Sequence, residues 1–151
     1  MSNNFKDSFE KTRIAGNIAA GALDEVSKII KPGIRTSEID NICYNYISDH
    51  GAYSAPLFYR GFPKSCCTSA NHVVCHGIPS DKILQDGDIL NVDVTALKDG
   101  WHGDTSRTFE VGKVSVKAKK LVKTTYDALM KSIQIIKENI HLGDIGAIIQ
   151  N

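Results

Sequence analysis

The sequence lacks any apolar run that approaches the ~18 residues of a membrane span. Its first eight residues are too polar for the apolar core of a secretory signal. The formal net charge is only +1, from 18 basic and 17 acidic residues, so no strong field favours nucleic acid or an anionic membrane. These absences predict a cytoplasmic protein with no nucleic-acid specificity and no membrane partner.

The sequence also lacks a disulfide pattern, because its four cysteines include the adjacent pair Cys66 and Cys67 and no C-x-x-C. We therefore expect reduced thiols. An alternative is a small zinc-binding protein, since five ligand-type side chains lie close together in the chain: Cys66, Cys67, His72, Cys75 and His76. Against this alternative, the spacing matches no common structural zinc pattern, and Val73-Val74 favours an extended strand.

Apolar residues are plentiful, at 42% of 151 residues, which predicts one globular domain over residues 1–151. The pattern predicts a first helix that begins at an Asp7/Glu10 box and buries Ile14 and Ile18. A second helix is expected from Thr36 or Ser37, and a third from near Ser115. Between them, residues 51–79 alternate short apolar pieces with glycine and proline, which predicts loops and short strands.

The most informative stretch is residues 88–112, which the pattern predicts to be a β-hairpin. Strand-type residues flank Asp99-Gly100, the two-residue signal for a type I′ turn. With that turn, the numbers of paired residues sum to about 199, a register that follows from the alternation of strand side chains. Asp93 and Asp104 then share one face, and Thr95 lies opposite Asp104.

Two carboxylates that converge in a largely apolar sheet repel each other unless a proton or a cation lies between them. A divalent metal ion suits this arrangement, and oxygen ligands are compatible with manganese, iron(II), cobalt or zinc. The alternative is a register shifted by one residue, with one aspartate merely exposed on the strand. The pattern alone leaves both possibilities open.

An internal similarity appears at an offset of about 106 residues. Residues 30–42 resemble residues 136–148, and each copy reads as the end of a long helix, a connection and the start of another helix. The first copy is followed by loops and the hairpin. The second reaches Asn151 within an apolar helical pattern that has no stop signal. We therefore expect a chain truncated within a helix.

Several motifs at consistent spacing together resemble type I methionine aminopeptidase of the bacterial kind, over nearly the whole chain. They are Lys31-Pro32-Gly33, Gly61-Phe62-Pro63-Lys64-Ser65, Asn71, Val73-Val74-Cys75-His76-Gly77-Ile78-Pro79, Gly87-Asp88-Ile89, Asn91-Val92-Asp93-Val94 and Gly100-Trp101-His102-Gly103-Asp104-Thr105-Ser106. The resemblance implies an α+β chain that forms the N-terminal half of a pita-bread fold, with an antiparallel sheet covered by helices. It also implies a cytoplasmic enzyme that removes the initiator methionine from nascent polypeptides, with the ribosome as another possible partner.

By resemblance, Asp93 and Asp104 are metal ligands in a site for two divalent ions, and His76 contacts the substrate near the scissile amide. Tyr59, Phe62 and Cys67 fall where the family lines its methionine pocket. Two positions depart from the family, which often has cysteine in place of Pro56 and histidine in place of Arg60. The family's histidine ligand and two glutamates come from its second half.

Three hypotheses of different classes follow. The first is a truncated methionine aminopeptidase that is inactive alone. The second is an inactive half-fold relic or binding module. The third is the small cysteine and histidine zinc-binding protein introduced above.

Overall fold

The computed structural model describes residues 3–151, and side chains from residue 5 onward. The elements are α1 (Asn3–Ser27), α2 (Thr36–Asp49), β1 (Tyr53–Ser54), a short 3₁₀ helix (Tyr59–Gly61), β2 (Cys67–Ala70), β3 (Ile89–Lys98), β4 (Trp101–Glu110), α3 (Val116–Gln134) and α4 (Leu142–Gln150). They form two compact units, Met1–Val114 and Ser115–Asn151. The single domain expected over residues 1–151 stays a prediction.

The first unit is built on the long strand β3, to which the other three strands pair antiparallel. β1 and β2 pair with β3, and β4 pairs along its whole length. Alternate residues of β3 are fully buried, namely Leu90, Val92, Val94 and Ala96, while the residues between them are partly exposed. One face of the sheet therefore belongs to the core, and the other face is open.

The core face packs on α1 and α2. Ala15, Ile18, Ala19, Ala22, Leu23 and Val26 supply the buried stripe of α1, and Ile39, Cys43 and Ile47 that of α2. Gly103 marks a close approach of β4 to α1, because a Cβ there would overlap the backbone of Ala15 and Gly16. Only glycine allows strand and helix backbones to lie this close.

The predicted start of α1 was wrong, since the helix already includes Asn3 and Asp7 is not its cap. Asp7 instead forms a 2.7 Å ion pair with Lys11 one turn later, and Glu10 pairs with Arg13 at 2.7 Å. Both pairs join residues three or four apart, which are neighbours on a helix surface. Ile14, predicted to be buried, lies outside the stripe and is 46% exposed.

The expected strand at Val73-Val74 is also absent from the described structure, where these residues lie in an irregular segment that follows a turn at Asn71 and His72. The turn forms because Asn71 has a left-handed φ of 55° and the amide of Val73 donates to the carbonyl of Ala70 at 3.1 Å. Val74 is consequently 93% exposed. Two adjacent β-branched residues were too weak a strand signal to outweigh the turn signal of Asn71.

The second unit is a pair of helices that confirms the internal similarity. Ser115 caps α3 and accepts a hydrogen bond from the amide of Ala118 at 3.1 Å. Even the helix starts correspond, because the amide of Arg35 donates to Glu38 and that of His141 donates to Asp144, each at 2.8 Å. Across residues 3–151, no helix is long and apolar enough to cross a membrane.

Candidate functional site

The hairpin of β3 and β4 places the two candidate metal ligands, and its predicted register is confirmed. Asp99 and Gly100 both have positive φ, 50° and 84°, as a type I′ turn requires. Paired residues run from Lys98 with Trp101 to Ile89 with Glu110, so their numbers sum to 199. Thr95 therefore pairs with Asp104, and Asp93 lies two residues along on the same face.

The two carboxylates have different surroundings. Asp104 is exposed, and its Oδ1 accepts a 2.6 Å hydrogen bond from the hydroxyl of Thr95. Asp93 is half-buried, and its pKa is raised mainly by burial and then by the charge of Asp104, against opposing contributions from His76 and the amide of Val94. Burial and like charge both disfavour the ionised form. A cation beside Asp93 would relieve both effects.

His76 reaches the same side of the molecule through the turn after β2. The amide of Thr68 donates to the carbonyl of Gly77 at 2.7 Å, and the amide of Gly77 donates to the Ser69 hydroxyl at 3.1 Å. A Cβ on Gly77 would lie 2.2 Å from the carbonyl oxygen of Thr68, so only glycine fits. His76 itself has a left-handed φ of 54°. Such strained positions often accompany functional sites.

A cavity of about 710 Å³ joins these groups. All six site residues predicted from the sequence line it, namely Tyr59, Phe62, Cys67, His76, Asp93 and Asp104. The first two come from the irregular segment between β1 and β2, Cys67 begins β2, and the aspartates lie on the hairpin. The structure thus brings the six together in one place, while the role of each stays a prediction.

Cys67 forms part of the cavity wall and is 7% exposed. Burial raises its pKa to about 11, with further contributions from the negative charges of Asp93, Cys75 and Asp104. It is therefore a neutral thiol at physiological pH and suits an apolar wall. The neighbouring Cys66 points elsewhere, and its pKa is raised first by hydrogen bonding with the thiol of Cys43 and then by burial.

Two further polar residues of the hairpin line the cavity, Thr95 and His102. Sequence reasoning placed both on the face of the aspartates but gave them no role. The hydrogen bond from Thr95 to Asp104 could have been anticipated, because directly paired side chains on one face lie about 4.5–5.5 Å apart at Cβ. His102 has no comparable signal in the sequence.

The donor set fits part of a metal site. Asp93 and Asp104 supply the oxygen ligands that divalent cations prefer. In residues 3–151, however, no group of three or more His, Cys, Asp or Glu side chains is arranged to hold a metal. The zinc alternative therefore lacks a cluster of ligand side chains among the described residues. Its cysteines also differ in burial, because Cys66 is fully buried whereas Cys75 is exposed. The described cysteines are all free thiols, as expected.

Comparison with known proteins agrees with this geometry. Residues 10–151 match the profile of metallopeptidase family M24. The chain is 53% identical over 143 residues to a methionine aminopeptidase of Rickettsia prowazekii, covering 95% of this chain and 55% of the relative. It is 49% identical over 146 residues to the methionine aminopeptidase of Escherichia coli K12, again covering 95% and 55%.

Solved structures show the same likeness. The crystal structure of the Rickettsia prowazekii methionine aminopeptidase superimposes with a TM-score of 0.94 at 52% identity, covering 96% of this chain and 58% of that structure. A prolidase from Pyrococcus furiosus, at 22% identity and a TM-score of 0.83, shares the fold alone. The fold is therefore the expected α+β pita-bread architecture, and the chain spans about half the length of the curated relatives it matches.

Proposed function

Because the chain belongs to metallopeptidase family M24, we propose that it contributes one half of a metal-dependent aminopeptidase site that removes the initiator methionine from nascent polypeptides. The observation that carries the proposal is the single cavity lined by Asp93, Asp104, His76 and an apolar wall. The cytoplasmic location and the ribosome as a partner stay predictions.

In this proposal the apolar wall selects the first residue of the substrate. Tyr59 and Phe62 offer aromatic surfaces, and Cys67 is a neutral thiol. A flexible thioether side chain gains from contact with aromatic rings and from burial. Methionine matches that wall better than a charged or strongly polar side chain, whose burial without a partner is unfavourable.

The polar wall would hold the reacting end of the peptide. Asp93 and Asp104 would bind divalent ions, with the hydroxyl of Thr95 fixing the orientation of the Asp104 carboxylate. The ions would supply Lewis-acid polarisation of the scissile carbonyl and would lower the pKa of water. The imidazole of His76 would donate a hydrogen bond to the peptide near the scissile amide. We propose two ions, of manganese, iron(II), cobalt or zinc.

The resemblance implies that a histidine and two glutamates, one of them a general base, complete such a site. Of the metal ligands that the resemblance implies, the described residues supply Asp93 and Asp104, and no group of three or more His, Cys, Asp or Glu side chains among them is arranged to hold a metal. Catalytic groups that act as a unit are not lost additively. We therefore expect the 151-residue chain alone to show no turnover above background.

Methionine release from a Met-Ala-Ser peptide tests this proposal, with manganese, cobalt or iron(II) supplied in turn. The chain alone should be inactive. The chain fused to the remaining half of the Rickettsia prowazekii enzyme should release methionine, and Asp104→Asn should abolish that release. Turnover by the mass-verified chain alone, abolished by the same substitution, would contradict the proposed division of the site. Peptide binding without turnover by the fusion would favour the binding-module alternative.

Metal binding by the chain alone gives a readout independent of turnover. Two protein carboxylates leave most coordination positions to water, so binding of Mn²⁺ should be weak. Calorimetry should show it weakened further by Asp93→Asn or Asp104→Asn and unaffected by Asp81→Asn, which removes an exposed carboxylate outside the cavity lining. Tight stoichiometric binding that survives Asp93→Asn would place the metal elsewhere.

A further inference from the structure

One cationic side chain, that of Arg60, lines the cavity that also contains the two aspartates. It lies in the segment between β1 and β2, where both Phe58 and Arg60 adopt left-handed φ values of 66° and 48°. Non-glycine residues adopt this conformation only when the surroundings impose it. Here the amide of Phe58 donates to the carbonyl of Phe62 at 2.8 Å, which closes the segment on itself.

The guanidinium group of Arg60 is available to bind a ligand. Its carbon lies 5.5 Å from the centroid of the Tyr59 ring, a cation–π contact that keeps the charge beside the apolar wall. Among the described residues it forms no ion pair, although Asp93 and Asp104 line the same cavity. The cavity thus has an acidic part and a separate, exposed cation.

We infer that Arg60 binds a carboxylate of the peptide beyond its N-terminal methionine, so that acidic peptides are favoured as substrates. The inference rests on the proposed function. In the metal-free chain, the cationic amino terminus of a peptide is attracted to Asp93 and Asp104, which leaves the following residues to face Arg60. Arg60 can bind a carboxylate through two parallel hydrogen bonds, a geometry that lysine cannot reproduce.

The test peptides carry their acid at the third residue, which places the carboxylate beyond the methionine and beyond the scissile amide. Arg60 is exposed and screened by water, so the gain is modest. An exposed ion pair corresponds to a preference of about two- to fivefold, which should decline as salt is added.

The test measures binding of two amidated peptides, Met-Ala-Glu-Ser and Met-Ala-Gln-Ser, to the metal-free 151-residue chain by NMR titration. The glutamate peptide should bind about two- to fivefold more tightly at low salt, with shifts at residues of the cavity. Arg60→Gln should abolish the difference, and Arg60→Lys should retain part of it. Lys6→Gln, which removes one positive charge near the start of α1 outside the cavity lining, should leave it intact.

The outcomes separate the inference from the proposed function. Equal binding of both peptides to the unmodified chain, with shifts at the cavity, would overturn the role of Arg60 and leave the proposed function standing. A preference that persists in Arg60→Gln would assign the carboxylate to another cation and would equally overturn it. No binding of either peptide would count against substrate binding in this cavity, and therefore against both.

Discussion

Asp93 illustrates at the level of one residue how a binding site opposes stability. Its folded pKa is raised above the unfolded value, so the folded state holds its proton more tightly. The contribution of Asp93 to stability is therefore fully present below its unfolded-state pKa, and it is lost as the pH rises through its folded-state pKa. At neutral pH the ionised carboxylate of Asp93 therefore lowers the stability of the metal-free folded protein.

Asp93→Asn should consequently raise the urea midpoint of the metal-free chain at neutral pH, and the gain should shrink below the titration range of Asp93. Urea unfolding of both proteins across the acidic to neutral range measures this effect. Asp81→Asn, at an exposed turn, serves as the matched control. Parallel pH profiles for the Asp93 variant and the parent would show that Asp93 carries no such penalty.

Cys67 allows a second prediction at the same scale. With a pKa raised to about 11 by burial and nearby negative charge, its thiol should react slowly with iodoacetamide at neutral pH, whereas the exposed Cys75 should react first. Peptide mapping by mass spectrometry separates the two sites. Asp93→Asn should lower the pKa of Cys67 and speed its alkylation. Equal rates at Cys67 and Cys75 in the folded parent would contradict this account.

At the level of elements, the contact between β4 and α1 depends on the missing side chain of Gly103. Gly103→Ala should destabilise the protein by about 1–3 kcal/mol, as overpacking of a filled interior usually does. Gly16→Ala is the control, because its Cβ would meet nothing within 4 Å, and alanine stabilises a helix interior by up to about 1 kcal/mol relative to glycine. Denaturant unfolding of both variants provides the comparison. Similar stabilities for the two variants would contradict the close packing of β4 against α1 at Gly103.

The elements also show why some features were predictable from the sequence. The register of the hairpin was correct, because Asp99-Gly100 determines the turn and the turn determines every pair along both strands. The start of α1 was wrong because Asp7 and Glu10 stabilise a helix interior through ion pairs as readily as they mark a helix start. Helix periodicity correctly placed Ile18 in the core but failed for Ile14.

The candidate site also had features that could be predicted from the sequence and features that could not. The pairing of Thr95 with Asp104 was anticipated because it lies within one local hairpin. That the segment around Tyr59 and Phe62 meets the hairpin depends on left-handed backbone conformations at Phe58, Arg60 and Gly61. No periodicity encodes those conformations, so residue types alone could not locate them. Only the family resemblance assigned Tyr59 and Phe62 to the same site as Asp93 and Asp104.

At the level of the whole molecule, the two compact units differ in how much they bury. The fully buried apolar side chains lie between Ala15 and Val111, in the first unit. In the second unit only Ser132 is buried, while Leu121, Leu129 and Ile133 are at least half exposed. Helices gain most of their stability from packing of an apolar face.

The rate of amide hydrogen exchange should therefore differ between the two units. The amides of α3 and α4 should exchange much faster than those of β3 and β4, because opening the second unit exposes little additional apolar surface. Exchange followed by NMR at neutral pH resolves individual amides in each element. Equal protection across both units would show that they unfold as one cooperative body. Rapid exchange of the hairpin would contradict the assignment of the core.

The turn at Asp99-Gly100 also bears on how the protein ages. An aspartyl–glycyl bond cyclises to a succinimide more readily than other aspartyl bonds, since glycine presents no side chain to hinder attack by its amide nitrogen. Asp99 is exposed, so water can open the ring to isoaspartate. The product carries one extra backbone atom between β3 and β4, which would disturb the alignment of Thr95 with Asp104. The dipeptide that sets the register of the two strands is therefore also a position at which slow isomerisation would disturb the site.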